Sequence, residues 1–537
     1  MVIKDKIRQL VKDSAGIDVE VVKPKSDFGD YAVFVRDNVQ VISDKLKAQS
    51  IPEIKNIEIK GNYINFFLTQ EFLQSELSRL ATTHYALPTM LWSGKTVIVE
   101  YTDPNPFKLF HIGHMMSNAI GESIARLYEA SGGKVIRVTW QGDVGIHIAK
   151  AIWWMIKTKN EKRKAKNMGE AYAEGNKAYE ENPVAKEEII AINKKIYDRS
   201  DPEINQLYDE GRKESLEYFE TQYARLGSKF DRYFFESEEG PKGLELVKAH
   251  PDVFVEGDPS TGSGQGAPIV FHGQHTRVFV NSQGLPTYEA KELGLNQEKF
   301  NIYHPDLSVI VTANEIKEYF QVLMEAMQKI MPEVATKTRH VPHGMMRLPT
   351  GKMSSRTGTV ITADEFIETV KRITNNEQVA IGAIKYSILK QGIGNDIIFD
   401  FDKAVAIHGD SGVYIQYTYA RLVSILTKAG MSNDELRMTN ATTHYALLTM
   451  HFELAIIKHL IEFSEALAVA TERLAPSLIA QYVYELANRA NRYYEEVRIL
   501  DDADESRKYA RLALVSVTAR IIKQCLELLG ISAPDKV

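Results

Sequence analysis

The stretch that most constrains this chain runs from Glu100 to Arg126, EYTDPNPFKLFHIGHMMSNAIGESIAR. Val97, Ile98, Val99 and Tyr101 carry the β-branched and aromatic side chains of a buried strand, and Pro104 and Pro106 stop regular structure just after it. From Ile112 onward the apolar spacing is helical. His111 and His114, three residues apart in the first turn, share one side of the helix entrance, with Gly113 between them removing a side chain. A flat base or a phosphate can approach such a backbone closely. The free amides of a helix start favour anions, and two imidazoles add donors to charge developing on a phosphoryl group. A nucleotide site is expected here, against the plainer reading that the histidines only cap the helix.

A second element far downstream answers the first. Gly344 to Gly358, GMMRLPTGKMSSRTG, places Lys352, Ser354, Ser355 and Arg356 in a glycine-flanked loop whose backbone is free to close over phosphates. Alone it reads equally well as a solvated basic turn. Its positive charge and hydroxyl donors also suit a leaving pyrophosphate. In this order the two elements resemble the HIGH and KMSKS-like signatures of class I aminoacyl-tRNA synthetases.

At 537 residues and 44% hydrophobic composition the chain is long enough for several domains with separate cores. The formal charge of −6 argues against gripping nucleic acid by bulk charge, so RNA contact must come from local patches and stacking. Cys525 is the only cysteine, which excludes an internal disulfide framework and any Cys-rich zinc site; no protein metal-ligand set is expected. The start, MVIKDKIRQLVKD, alternates charge with apolar residues at helical spacing, unlike a signal peptide, and no apolar run approaches membrane-spanning length. A cytoplasmic monomer without membrane contact is expected.

In chain order, residues 1–92 read as a small α/β module, with Ile57, Ile59, Tyr63, Asn65 and Phe67 alternating as in a strand. Within it FGDYAVFV, with Phe28 and Tyr31, is either a turn leading into a core strand or a loop that packs against RNA. Residues 93–400 read as a Rossmann-like, doubly wound parallel-sheet domain. Val135 to Trp140 is its second strand, and Gly142, Asp143 and Gly145 follow at the carboxyl end, where such sheets bind ligands. Residues 157–237, rich in Lys, Glu, Asn and Tyr at helical spacing, read as a helical insertion with solvated faces. Gly257 to Pro268 is expected to be an irregular surface loop.

Thr287 is a candidate N-cap for a further helix, on which Tyr288 and Glu292 share a face. With Glu100, Asp103 and Asn105 they make a candidate acidic pocket with an aromatic wall, suited to a guanidinium whose planar fork paired carboxylates can accept. Residues 401–537 read as an all-α helix bundle, with long helices from Tyr445 to Ala470, Pro476 to Leu500 and Ser506 to Leu529. Arg489, Arg492, Tyr493 and Tyr494 interleave basic and aromatic side chains, as RNA-stacking surfaces do, although most such tyrosines belong to cores.

EYTDPNPFKLFHIGH, QGDVG, LPTYEAKELG, GKMSSRTG, SGVYIQYTYARL and LELLGISAPDKV together resemble the arginyl-tRNA synthetases over nearly the whole length. The resemblance implies a KMSKS-like loop and stem-contact region at residues 344–400. It implies an N-terminal domain contacting tRNA through Phe28 and Tyr31, and an anticodon-binding bundle using Arg489, Arg492, Tyr493 and Tyr494. Glu100, Asp103, Asn105, Tyr288 and Glu292 would hold arginine. His111, Gly113, His114, Gly142, Asp143, Met345, Lys352, Met353, Ser354 and Ser355 would bind ATP with Mg2+, and Lys108, His111, His114 and Lys352 would act in catalysis. The partners implied are L-arginine, ATP and tRNA(Arg), and relatives of this kind need bound tRNA before they activate arginine.

The chain departs from the family pattern in places. The class I loop often has lysine where this chain has Ser355, and members with a degenerate loop are thought to compensate with a lysine three residues before the first histidine, where Lys108 stands. Many relatives have Ser at the place of Asp103 and Asp at that of Glu292. Two other function classes compete. A small-molecule adenylyltransferase would leave the N-terminal module and the helical C-terminal third unexplained; a non-catalytic RNA-binding relative should have lost His111, His114 and Lys352, which are all present. ATTHYALPTM at 81–90 recurs as ATTHYALLTM at 441–450, and we have no physical account of the repeat.

Overall fold

Five parallel strands form the central sheet, in the order Thr338–His343, Leu307–Ala313, Thr96–Glu100, Lys134–Gln141, Arg232–Phe235. The structure is a computed structural model that describes residues 3–24, 28–82, 90–158, 165–258, 266–349, 361–431 and 448–536. Along Thr96–Glu100 the side chains alternate between two apolar clusters. Val97 and Val99 join Ile120 and Ile124 of helix Ile112–Ala130, whereas Ile98 joins Leu295 of helix Tyr288–Tyr303. Helices cover both faces, which is why the strand reads as an unbroken apolar run.

Winding reverses between Thr96–Glu100 and Leu307–Ala313, so the crevice beyond Glu100 and Ala313 is the switch point at which doubly wound sheets take ligands. Close packing sets its walls. A Cβ on Gly121 would come within 2.3 Å of Tyr101, so only glycine lets helix Ile112–Ala130 lie this near the strand end. Helices Glu236–Ala249 and Tyr288–Tyr303 approach as tightly: a Cβ on Gly243 would meet Ala290 O at 1.7 Å, and one on Gly294 would meet Glu239 O at 2.3 Å. This contact brings Glu236 beside Lys291.

Three helices, Ala165–Glu181, Pro183–Asp198 and Pro202–Leu226, make the insertion, and with helix Ile146–Thr158 they bury a separate core around Ile148, Ile189 and Tyr208. The insertion ends earlier than the charge pattern implied. Arg232–Phe235 is the edge strand of the central sheet, paired with Val138 to Gln141. Four residues are too few for a period of two to stand out against neighbouring helices. Thr287 occupies the N-cap position expected for it, but its hydroxyl donates to Val278 O and Phe279 O and holds the helix to strand Thr276–Val280.

The N-terminal module is an antiparallel sheet in the order Val21–Val22, Tyr31–Phe34, Tyr63–Leu68, Ile54–Lys60, flanked by helices Ile3–Ala15, Val39–Lys47 and Gln70–Thr82. It docks on the C-terminal bundle. Lys4 pairs with Glu465, Lys23 with Glu462 at 2.6 Å and Lys458 with Asp30 at 2.6 Å, while Leu77 and Leu80 enter the apolar cluster of the bundle. Tyr31, expected to meet RNA, is buried within its strand, and Asp30 also accepts from Leu68 N at 2.8 Å, so this segment is a turn leading into a core strand. Phe28 is 41% exposed, with the Lys60 ammonium 3.1 Å above its ring.

Helices Gly412–Lys428, His451–Leu460, Phe463–Glu472, Pro476–Glu496 and Glu505–Leu528 form the bundle. The helix expected from Tyr445 to Ala470 breaks at Ile461 and Glu462. Tyr493 is 1% exposed and is a core residue, which removes it from any stacking surface. Arg492 and Tyr494 are exposed, Arg489 is half-buried, and the Arg421 guanidinium lies 5.1 Å from the Tyr494 ring and 4.8 Å from that of Tyr417. The two ATTHYAL copies, residues 259–265 of the Gly-rich loop, and Lys352, Met353, Ser354 and Ser355 lie almost wholly or wholly outside the described residues. No helix among the described residues is long and apolar enough to cross a membrane.

Candidate active site

A cavity of about 580 Å³ opens at the switch point. Glu100, Asp103, Asn105, His111, Gly113, His114, Gly142, Tyr288 and Glu292, which the sequence pointed to separately, all line it. The turn after strand Thr96–Glu100 is bent hard to reach it. Thr102, Asp103 and Phe107 have φ of 81°, 43° and 65°, a region that non-glycine residues enter only when their surroundings hold them there. Ser117 supplies one hold: its hydroxyl accepts from Thr102 N at 3.0 Å and donates to Val311 O at 3.1 Å, tying the helix to both central strands.

The two imidazoles stack, with centroids 3.7 Å apart and planes 16° from parallel. His111 is the N-cap: its Nδ1 accepts from Gly113 N at 3.1 Å, and His114 Nδ1 accepts from His111 N at 3.2 Å. They are thus caps and cavity residues at once. Because each Nδ1 is an acceptor, each ring proton sits on Nε2, and both Nε2–H groups are left as donors. Burial, helped by the charge of Lys108, lowers His111 to about 4; burial with His111 and Lys108 holds His114 well below the ordinary value. The rings are neutral at pH 7 and can donate without repelling a metal-bound phosphate.

On the opposite wall the charges are uneven. Lys299 donates to Glu100 at 2.7 Å and Lys291 to Glu236 at 2.5 Å, all four side chains buried. Asp103 and Glu292 take part in no ion pair among the described residues. Asp103 accepts from Trp140 N at 2.7 Å and Thr139 Oγ1 at 3.4 Å, both through Oδ1, and Glu292 has only Asn296 Nδ2 at 3.5 Å. Burial first and the charge of Glu100 second push Asp103 well up; burial, Glu100, Asp103 and Glu236 do the same to Glu292. A planar cation between them would relieve both. The Lys299 ammonium compensates the buried Glu100 carboxylate, so Lys299→Met should cost about 3–5 kcal/mol by stranding that charge. A thermal melt of that variant coinciding with the parent's would show that the pair contributes nothing.

Sequence reasoning missed Glu236, because it falls at the end of a segment read as solvated helix faces. The signal was the position of Glu236 directly after Arg232–Phe235, at a strand's carboxyl end. Gly142 explains itself here: a Cβ would lie 2.2 Å from Asn105 Oδ1 and 3.2 Å from Glu236 Oε1. Asp143, by contrast, does not line the cavity. It accepts from Tyr208 OH at 2.9 Å, Ser237 N at 2.9 Å and Ser237 Oγ at 2.7 Å, with Arg212 Nε at 3.1 Å, and so caps the helix that carries Glu236. Met345 is also away from the lining, its N–H held by Asp396 Oδ1 at 2.8 Å. Lys108, too, is not among the lining residues; its ammonium is 4.8 Å from the Tyr172 ring centroid, and burial, opposed by Glu236, lowers it to about 8.

Comparison with known proteins agrees with this geometry. Residues 79–401 match the family described as tRNA synthetases class I (R), catalytic domain, and residues 415–537 match the DALR anticodon binding domain. The chain is 28% identical to an arginine–tRNA ligase of Clostridium botulinum, covering 99% of this chain and 100% of that protein, and 29% identical to one of Borrelia hermsii, covering 100% and 99%. Two solved structures share the fold: arginyl-tRNA synthetase of Thermus thermophilus, with a TM-score of 0.79 at 24% identity, and that of Plasmodium falciparum, with 0.78 at 20%, each covering 100% of this chain and 99% of the other. A catalytic-domain match over more than half of the chain, continued by the helical-domain match, places this protein in the class I arginyl-tRNA synthetase family.

Proposed function

We propose that this chain joins L-arginine to tRNA(Arg) in two steps, with ATP as the energy source. The observation that carries the reading is the pair of half-buried Asp103 and buried Glu292, carboxylates in no ion pair among the described residues, facing the same cavity as two neutral imidazoles at a helix start. The guanidinium sits between Asp103 and Glu292, Asn105 and Tyr288 close around the rest of the arginine, and Glu100 and Glu236, already paired, hold the negative field in place. The arginine carboxylate attacks the α-phosphorus of ATP, the bond to pyrophosphate breaks, and the terminal ribose of tRNA then takes the arginyl group from AMP.

His111 and His114 donate through Nε2 to phosphate oxygens, Gly113 leaves room for the nucleotide, and Lys108 follows the charge that builds on the phosphates. Mg2+ enters with the phosphates of the nucleotide. Exposed Phe28, Arg492 and Tyr494 are the tRNA contacts this reading retains.

Charging total tRNA with each of the twenty amino acids tests the assignment; incorporation of lysine or glutamate in place of arginine would overturn it. The raised pKa values add a second check. Burial and the charge of Glu100 press Asp103 and Glu292 toward their protonated forms in the free protein, and a guanidinium favours their charged forms. Arginine binding should release protons, and affinity should fall as pH falls. Calorimetry at pH 7 in two buffers of different ionisation enthalpy should give different apparent enthalpies; equal values would contradict the pocket.

A further inference from the structure

Phe107, Lys108 and Leu109, just before His111, are gripped by the helical insertion. Phe107 is kept in its left-handed conformation by Ser215 of helix Pro202–Leu226, whose Oγ accepts from Phe107 N at 2.9 Å and donates to Gly211 O at 2.7 Å. The Phe107 ring lies on Gly211, where a Cβ would come within 2.3 Å of Cε1 and Cζ. Leu109 fills a second notch, at Gly169 of helix Ala165–Glu181, where a Cβ would come within 2.5 Å of Leu109 Cγ. Lys108 is thus flanked by residues fixed by two helices of the insertion, and helix Ala165–Glu181 also offers it the Tyr172 ring at 4.8 Å. The ammonium has a competing attraction, the carboxylate of Glu236 in the acidic wall, while its field already reaches His111 and His114.

We propose that Tyr172 is a positioning residue for adenylate formation: its ring holds the Lys108 ammonium beside the imidazoles and away from Glu236, ready for the phosphates of ATP. The helical insertion is then part of the catalytic apparatus and not only a solvated decoration. A ring face attracts an ammonium without taking its protons or fixing its direction, so the lysine can leave for a phosphate at little cost. The inference rests on the assignment of Lys108 to the phosphates.

The test is a double-mutant cycle on the full chain, read as single-turnover arginyl-adenylate formation at saturating arginine and ATP with tRNA present. Tyr172→Leu should lower the rate constant by about tenfold, roughly what the loss of one partly buried cation–ring contact can change. Tyr172→Phe, which keeps the ring, should restore most of it, and Tyr172→Leu should have no further effect in a Lys108→Ala background. Tyr172→Met carries the same expectation should leucine pack badly. Equal losses from Tyr172→Leu in both backgrounds would mean that Tyr172 only packs the insertion, and a Tyr172→Phe enzyme as slow as Tyr172→Leu would assign the effect to the hydroxyl; either result overturns the proposal. Lys108→Ala alone at the parental rate would remove the role of Lys108 itself, and the role of Tyr172 with it.

Discussion

Lys108→Ala is expected to slow arginyl-adenylate formation by about 100-fold or more, the loss that follows removal of one donor to developing charge, while arginine affinity barely changes. Ser355, in the loop where class I enzymes often carry lysine, has no charge to offer. The charge of the Lys108 ammonium helps to lower both imidazoles of the cavity, and it is a mobile point charge able to follow a phosphate. Burial puts its pKa at about 8. The active form is protonated, so the rate should fall as pH rises through about 8, and the alanine variant should lose that limb. Transfer from preformed adenylate should be much less affected, and Ser355→Lys should partly rescue the alanine enzyme. Normal single-turnover adenylate formation in Lys108→Ala would defeat the proposal and make Lys352 or Arg356 the leading candidate.

Glu292→Gln should raise the KM for arginine by roughly 30-fold to several thousand-fold, the equivalent of about 2–5 kcal/mol for one buried charge partner, and leave that for ATP nearly unchanged. The free protein should not suffer. Glu292 is in no ion pair among the described residues and is pressed toward its neutral form by burial and by Glu100, Asp103 and Glu236 against the opposing charge of Lys299, so glutamine replaces a group that already resembles it. Its melting temperature should therefore match or exceed the parent's. This separates Glu292 from Glu100, which is held in a buried ion pair with Lys299. An unchanged arginine KM would remove Glu292 from the pocket.

Much of the frame was legible because it is written locally. Val97 to Val99 read as a buried strand because both faces are covered, and the Pro-rich turn and His111-x-Gly113-His114 start a helix through contacts within a few residues. The acidic set Glu100, Asp103 and Glu292 was legible as a set of charges, through residue type and spacing. Its electrostatic state was not. Only the fold decides that Lys299 answers Glu100 and Lys291 answers Glu236 while Asp103 and Glu292 stay unanswered, because those partners come from distant elements brought together across the sheet. The same holds for the misplaced tyrosines. Tyr31 and Tyr493 have the composition of stacking residues, yet one lies in a strand buried against the bundle and the other on the inner face of a helix.

Sequence by itself determined the class of sheet, the turn that ends its first strand, the helix whose start faces the cavity and the carboxylates that gather there, since periodicity, proline and glycine placement and side-chain chemistry act at short range. Tertiary structure alone decided which carboxylates remain unpaired, that Asp143 caps a helix while Glu236 lines the cavity, and that the insertion grips the residues around Lys108. Those outcomes depend on which surfaces bury one another, and glycines such as Gly142, Gly169, Gly211 and Gly243 set them by allowing approaches that a single Cβ would forbid.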